Sequence, residues 1–104
     1  MAVDGLKAEF VSRYQALGEL KFYAFLLTYA MNKLVSIERG TYNGESPELE
    51  FLDYQERFMI LYRREGEDVC LDLARIFRKA SHKIYRVLLR NNRTVRNNKF
   101  LNLV

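Results

Sequence analysis

The chain has 104 residues, of which 49% are hydrophobic and 13% aromatic, and its formal net charge is +4. This composition excludes a wholly disordered chain, because it supplies enough apolar side chains for one compact core. The single cysteine, Cys70, excludes an internal disulfide and a Cys-rich zinc site. The length predicts one domain.

The first third of the chain has helical periodicity on both sides of a glycine. Apolar and aromatic residues recur at spacings of three and four in Leu6, Phe10, Tyr14 and Leu17. This pattern predicts a helix over 5-17, and a second one over 19-39 that ends at Gly40, a typical C-terminal cap residue. The pattern leaves open whether Gly18 separates two helices or only bends one.

The segment "KFYAFLLTYAM" is the most apolar part of the chain. It is too short to cross a bilayer, which takes about 20 mainly apolar residues. Charged residues, among them Lys21 and Lys33, interrupt or flank it. We therefore predict no membrane insertion.

At about 100° per residue, the second helix has only one narrow polar stripe, and that stripe contains Phe25. Two helical neighbours would leave part of its apolar surface uncovered. Either this is the central helix of the core or its surplus apolar surface binds a partner or a second copy. The predicted apolar partner-binding residues here are Phe22, Phe25 and Tyr29.

The second half of the chain contains two further predicted helices. Ser46 and Pro47 are a typical N-cap and first helical residue, so a helix is predicted over 47-64, before Gly66. The last helix is predicted over 67-90. The fold class is therefore all-α, a small antiparallel or orthogonal bundle of about four helices with a basic C-terminal tail.

The charges are divided along the chain. Residues 1–72 carry a net charge of −5, whereas residues 73–104 contain nine Lys or Arg and no acid, a net of +9. On the last helix the cations share one face, which comprises Arg75, Arg78, Lys79, Lys83, Arg86 and Arg90. Three interpretations stay open: a solvated face paired with acids such as Glu48, Asp53 or Glu56, a site for an acidic protein, or a site for nucleic acid or an anionic membrane surface.

The C-terminal residues differ in character from the helical part. We predict a single helical domain over 1-92 and a basic and apolar tail over 93-104. Phe100 and Leu101 in this tail are further candidates for partner binding. The tail either folds back over the bundle or docks on a partner, or the chain is a fragment of a larger protein.

No catalytic or cofactor motif is present. The position three residues before His82 is Lys79, so the Glu-x-x-His pattern of di-iron bundles fails. There is no phosphate-binding glycine loop and no calcium-binding loop pattern. We therefore predict a non-enzymatic protein with no catalytic residues, no cofactor and no metal site.

The sequence predicts a protein-interaction domain, either an adaptor or scaffold or one that self-associates as a homodimer. Its partner is another protein with an acidic or apolar surface, or a second copy. The alternative is a nucleic-acid-binding module that uses the basic face of the last helix. The N-terminal "MAVDGLKAEF" lacks the apolar core of a signal peptide, so the predicted location is intracellular, either cytoplasmic or nuclear.

Overall fold

The computed structural model describes the backbone of residues 3–90 and the side chains of residues 5–90. Three helices make up this part of the chain: α1 (Val3–Glu38), α2 (Pro47–Glu65) and α3 (Asp68–Arg90). No strand occurs among these residues. The predicted all-α class is therefore confirmed.

The helix α1 accounts for the difference between the predicted four helices and the observed three. Its helical pattern continues through Gly18, but that residue has φ 80° and ψ 172°, far from helical values. A residue without a Cβ atom adopts this conformation readily, so the chain can bend there. Gly18 therefore divides α1 into two helical halves that meet at a kink.

The ends of α2 follow the local sequence signals. Ser46 precedes the helix in an extended conformation, and Pro47 is its first residue. At the other end, Gly66 is left-handed, and its N–H donates a hydrogen bond of 2.7 Å to the carbonyl oxygen of Tyr62. The predicted start of α2 at residue 47 is confirmed, and its observed end at Glu65 is one residue beyond the prediction.

The core is a cluster of aromatic rings that joins all three helices. Phe77 of α3 lies at its centre, with the ring of Phe58 stacked at 5.8 Å and the ring of Phe10 edge-on at 5.1 Å. The other rings around Phe77 are those of Phe22, Phe51 and Tyr54. Such contacts add about 0.5–1.5 kcal/mol per pair beyond the burial of apolar area. The rings thus hold the kinked α1 against α2 and α3.

The predicted tail over 93-104, with Phe100, Leu101 and the domain boundary after residue 92, lies outside the described residues. None of the helices in the described part of the chain combines the length and the apolarity needed to cross a membrane.

Candidate functional site

An open, positively charged groove runs along α3. It encloses about 420 Å³ and is lined by Arg75, Arg78, Lys79, His82, Lys83 and Arg86 of α3, with Tyr23 of α1. The five Lys and Arg side chains are exposed. They share one side of α3 because their positions recur at spacings of three and four, while the intervening Ile76, Phe77 and Ala80 are buried. We call this feature the basic groove.

The cations of the basic groove are not neutralised by the described part of the molecule. Among residues 5–90, no carboxylate lines the groove and none of its five Lys and Arg residues forms an ion pair. Of the acids suggested as partners, Asp53 is bonded to Arg57 at 2.9 Å, so it is engaged on its own helix. Glu48 is buried at the start of α2, where its carbonyl oxygen accepts a hydrogen bond from Ser81 of α3.

Tyr23 forms the wall of the groove on α1. The ammonium group of Lys79 lies 5.5 Å from the centroid of its ring, within the range of a cation–π contact. This contact places Tyr23 of α1 beside the basic face of α3. Tyr23 was missing from the predicted site because nothing in the sequence indicates that residues 23 and 79 are neighbours.

A second exposed surface lies on α1 next to Tyr23. It consists of Leu20, Ala24, Leu27, Met31 and Val35. Leu20 is 84% exposed, Met31 44% and Val35 41%, whereas Leu27 is half-buried against the core. We call these five residues the apolar stripe. The five recur at spacings of three and four, so they share one side of the helix, and Tyr23 lies about 60° or less from Leu20 and Leu27 around the axis.

The predicted apolar partner-binding residues of α1 lie on other sides of the helix. Phe22 is fully buried in the core, so the folded protein cannot offer it to a partner, and this residue has to be removed from the predicted surface. Phe25 is half-buried between Phe22 and Tyr29, with the guanidinium of Arg13 at 4.4 Å from its ring centroid. Phe25 is therefore covered on one face by a cation and is not an isolated exposed ring.

Tyr29 is also engaged within the fold. Its ring stacks on Phe51 at 6.1 Å, and its hydroxyl donates a hydrogen bond of 3.1 Å to Glu50. Together with Phe25 it lines a small cavity of about 170 Å³ between α1 and α2. Phe25 and Tyr29 are thus brought together, but as the wall of a small recess rather than as a broad apolar surface.

Glu50 organises a part-buried polar network beside this cavity. Its carboxylate accepts hydrogen bonds from Tyr29, from Tyr54 at 3.0 Å and from Lys33. Burial works against the charged form of Lys33, but its hydrogen bonds to Glu50 and Tyr29 prevail and raise its pKa above the usual value. Burial, followed by the charge of Glu50, raises the pKa of Tyr54. The network is internally satisfied and connects α1 to α2.

Cys70 and two acids near it form a further cluster of reactive side chains among the described residues. Cys70 is buried, and burial raises the pKa of its thiol, which disfavours the nucleophilic thiolate. Glu65 and Glu67 lie near it, but both bind the ammonium group of Lys7, at 2.9 and 2.8 Å. That cation satisfies the two carboxylates, so the cluster is explained as an ion-paired contact between α1 and the α2–α3 turn.

Comparison with protein families, with curated proteins and with solved structures finds no match for this chain. The interpretation of the basic groove and the apolar stripe therefore rests on their geometry and chemistry.

Proposed function

We propose that this chain is a non-enzymatic protein-interaction domain that binds an acidic segment of another protein in the basic groove. The observation that carries the proposal is the set of five exposed Lys and Arg residues, with no lining carboxylate and no ion pair to a described residue. Like charges held this close repel each other, and a bound anion relieves that repulsion.

The chemistry of the groove suits carboxylates. Three of its five cations are arginines, whose planar guanidinium groups can bind a carboxylate through two parallel hydrogen bonds. The lysines supply mobile point charges that tolerate variation in the position of an acid. An acidic protein segment can therefore satisfy the groove without a single fixed geometry.

The surroundings of the groove favour a protein over nucleic acid. A phosphate backbone needs cations along its path, but the α1 side of the groove leads through Tyr23 to the exposed Leu20 and Met31. A nucleic acid would leave these side chains in water or place them against phosphates. Protein interfaces, in contrast, combine an apolar centre with a polar rim.

The experiment compares two triple variants that lose the same charge. The first is Arg75→Gln with Lys79→Gln and Arg86→Gln in the groove. The second is Lys21→Gln with Arg39→Gln and Arg63→Gln, which are exposed cations outside the groove. The probe is an unstructured glutamate-rich peptide, and binding is measured by fluorescence anisotropy at several salt concentrations, with circular dichroism to verify folding.

We expect the groove variant to weaken peptide binding roughly 10- to 100-fold, because three contacts of about 0.5–1 kcal/mol each are lost. The control variant is expected to change the affinity for the peptide by less than about threefold. Single- and double-stranded DNA and RNA of the same charge serve as competing probes. Tighter binding of a nucleic acid than of the peptide, or equal losses in both variants, would contradict the proposal, as would no binding at low salt.

A further inference from the structure

The apolar stripe and the basic groove meet at Tyr23. Tyr23 lines the groove beneath Lys79 and also borders the stripe at Leu20 and Leu27. A ligand that lies along the junction of α1 and α3 therefore meets apolar side chains on one side and cations on the other. We infer that the acidic partner segment is an amphipathic helix, with its apolar face on the stripe and its carboxylates in the groove.

The length and period of the stripe match a helix. From Leu20 to Val35 it extends over about 22 Å, or four helical turns. Its residues recur at spacings of four, three, four and four, which is the spacing at which one helix offers side chains to another. A partner helix of about 15 residues would cover this length.

Other partner conformations fit the surface less well. The described part of the domain contains no strand, so it has no sheet edge to pair with an extended peptide. A helix satisfies its own backbone and can place acids and apolar residues on adjacent faces about 100° apart. That angular separation suits a ligand that contacts both the stripe and the groove where they meet at Tyr23.

A second copy of the chain offers no acid in the groove lining itself, among the described residues. In a symmetric dimer whose axis passes through the groove, the same surface meets itself, so basic grooves would lie near basic grooves. On its far side the stripe is bordered by Lys21, Thr28 and Asn32, none of which is acidic. The charge complementarity therefore favours a different, acidic protein.

A flat anionic membrane would reach the stripe but not fill the concave groove.

This inference rests on the proposed function. Its test uses two peptides of identical composition. In one peptide, Leu and Glu residues occupy separate faces of a helix; in the other, the same residues are scrambled so that no apolar face forms. The protein variants are Leu20→Gln with Met31→Gln on the stripe, and Ile60→Gln as a control at another exposed apolar position, on α2. Because all three residues are exposed, these substitutions leave the core intact, and circular dichroism verifies that the variants fold.

We expect the patterned peptide to bind the unaltered protein about tenfold more tightly than the scrambled one, and to gain helical circular dichroism on binding. The stripe variant should abolish this difference and leave the weaker binding of the scrambled peptide intact, whereas Ile60→Gln should preserve the difference.

The possible failures are distinguishable. If both peptides bind equally and the stripe variant has no effect, the helix inference is wrong while the acidic-partner proposal stands. If neither peptide binds, the proposed function itself is wrong. Stripe-dependent binding to phosphatidylserine vesicles without any peptide preference, or stripe-dependent dimerisation in sedimentation, would overturn the inference in favour of a membrane or a second copy.

Discussion

Glu50 shows how one side chain can connect two helices without entering the apolar core. It accepts hydrogen bonds from Lys33 and Tyr29 of α1 and from Tyr54 on its own helix. The ammonium group of Lys33 also lies 4.5 Å from the ring centroid of Tyr29. Since each member has a partner, the network avoids the cost of a buried unsatisfied charge.

This network predicts that the fold loses stability at alkaline pH. The pKa values of Lys33 and Tyr54 are raised in the folded state, so in the unfolded state both lose their protons at lower pH. Their contribution is complete below the ordinary tyrosine value of 10.0 and is lost as pH rises through the folded-state values. The midpoint of thermal unfolding should therefore fall as the pH rises above about 10.

The variant Tyr54→Phe tests the origin of this effect. It removes the phenol and keeps the ring, so its melting temperature should decline less steeply with pH than that of the unaltered chain. Thermal unfolding followed by circular dichroism at several pH values measures both slopes. Equal slopes would show that Tyr54 does not contribute to the alkaline loss.

At the scale of elements, Gly18 sets the shape of α1. Aromatic rings from both sides of the kink belong to the same core cluster. The ring centroids of Phe10 and Phe22 lie 6.4 Å apart, and both rings contact Phe77. A straight helix would carry Phe10 away from Phe22, because each residue adds about 1.5 Å along the axis. The bend is thus what allows both halves of α1 to enter one core.

We predict that Gly18→Ala destabilises the fold by about 1–3 kcal/mol, because an alanine is strained at this φ and ψ. The space around Gly18 is open, so a steric clash is not the cause. Gly5→Ala, an exposed position within α1, is the matched control and should leave stability unchanged or raise it by up to about 1 kcal/mol. Urea unfolding measures the free energy of unfolding of both variants. Equal effects of the two substitutions would contradict the role assigned to the kink.

At the scale of the whole molecule, the charge is divided between the two ends of α3. Near its start, burial and then the charges of Asp72 and Glu19 raise the pKa of Tyr14. Further along, the same helix carries only cations. Along α3 the charge therefore changes sign, from acids in its first turns to cations further on.

The groove cations, none of which forms an ion pair with a described residue, predict that salt stabilises the protein. Their repulsion should be screened between about 0.01 M and about 1 M sodium chloride, as the Debye length falls from about 30 Å to about 3 Å. The melting temperature of the unaltered chain should rise over this range, and that of the Arg75, Lys79 and Arg86 triple Gln variant should rise less. The Lys21, Arg39 and Arg63 triple Gln variant should respond like the unaltered chain. Identical responses of all three proteins would show that the groove is not a source of repulsion.

The candidate site was predictable in part. The period of Arg75, Lys79 and Arg86 placed them on one face of a helix, and the structure leaves all three exposed. The apolar candidates were less predictable, because α1 is apolar around most of its circumference. Its sequence does not reveal that Phe22 is buried while Leu20 and Met31 remain exposed.

The sequence by itself determined the helical class, the ends of α2 and the basic face of α3, since these depend on signals between residues a few positions apart. Only the tertiary structure decided that Tyr23 lies beneath Lys79 and that the apolar stripe adjoins the groove. Those contacts depend on the kink at Gly18 and on how the aromatic rings around Phe77 orient α1 against α3. Such orientation is set by packing between residues distant in the chain, which a periodic pattern within one helix does not encode.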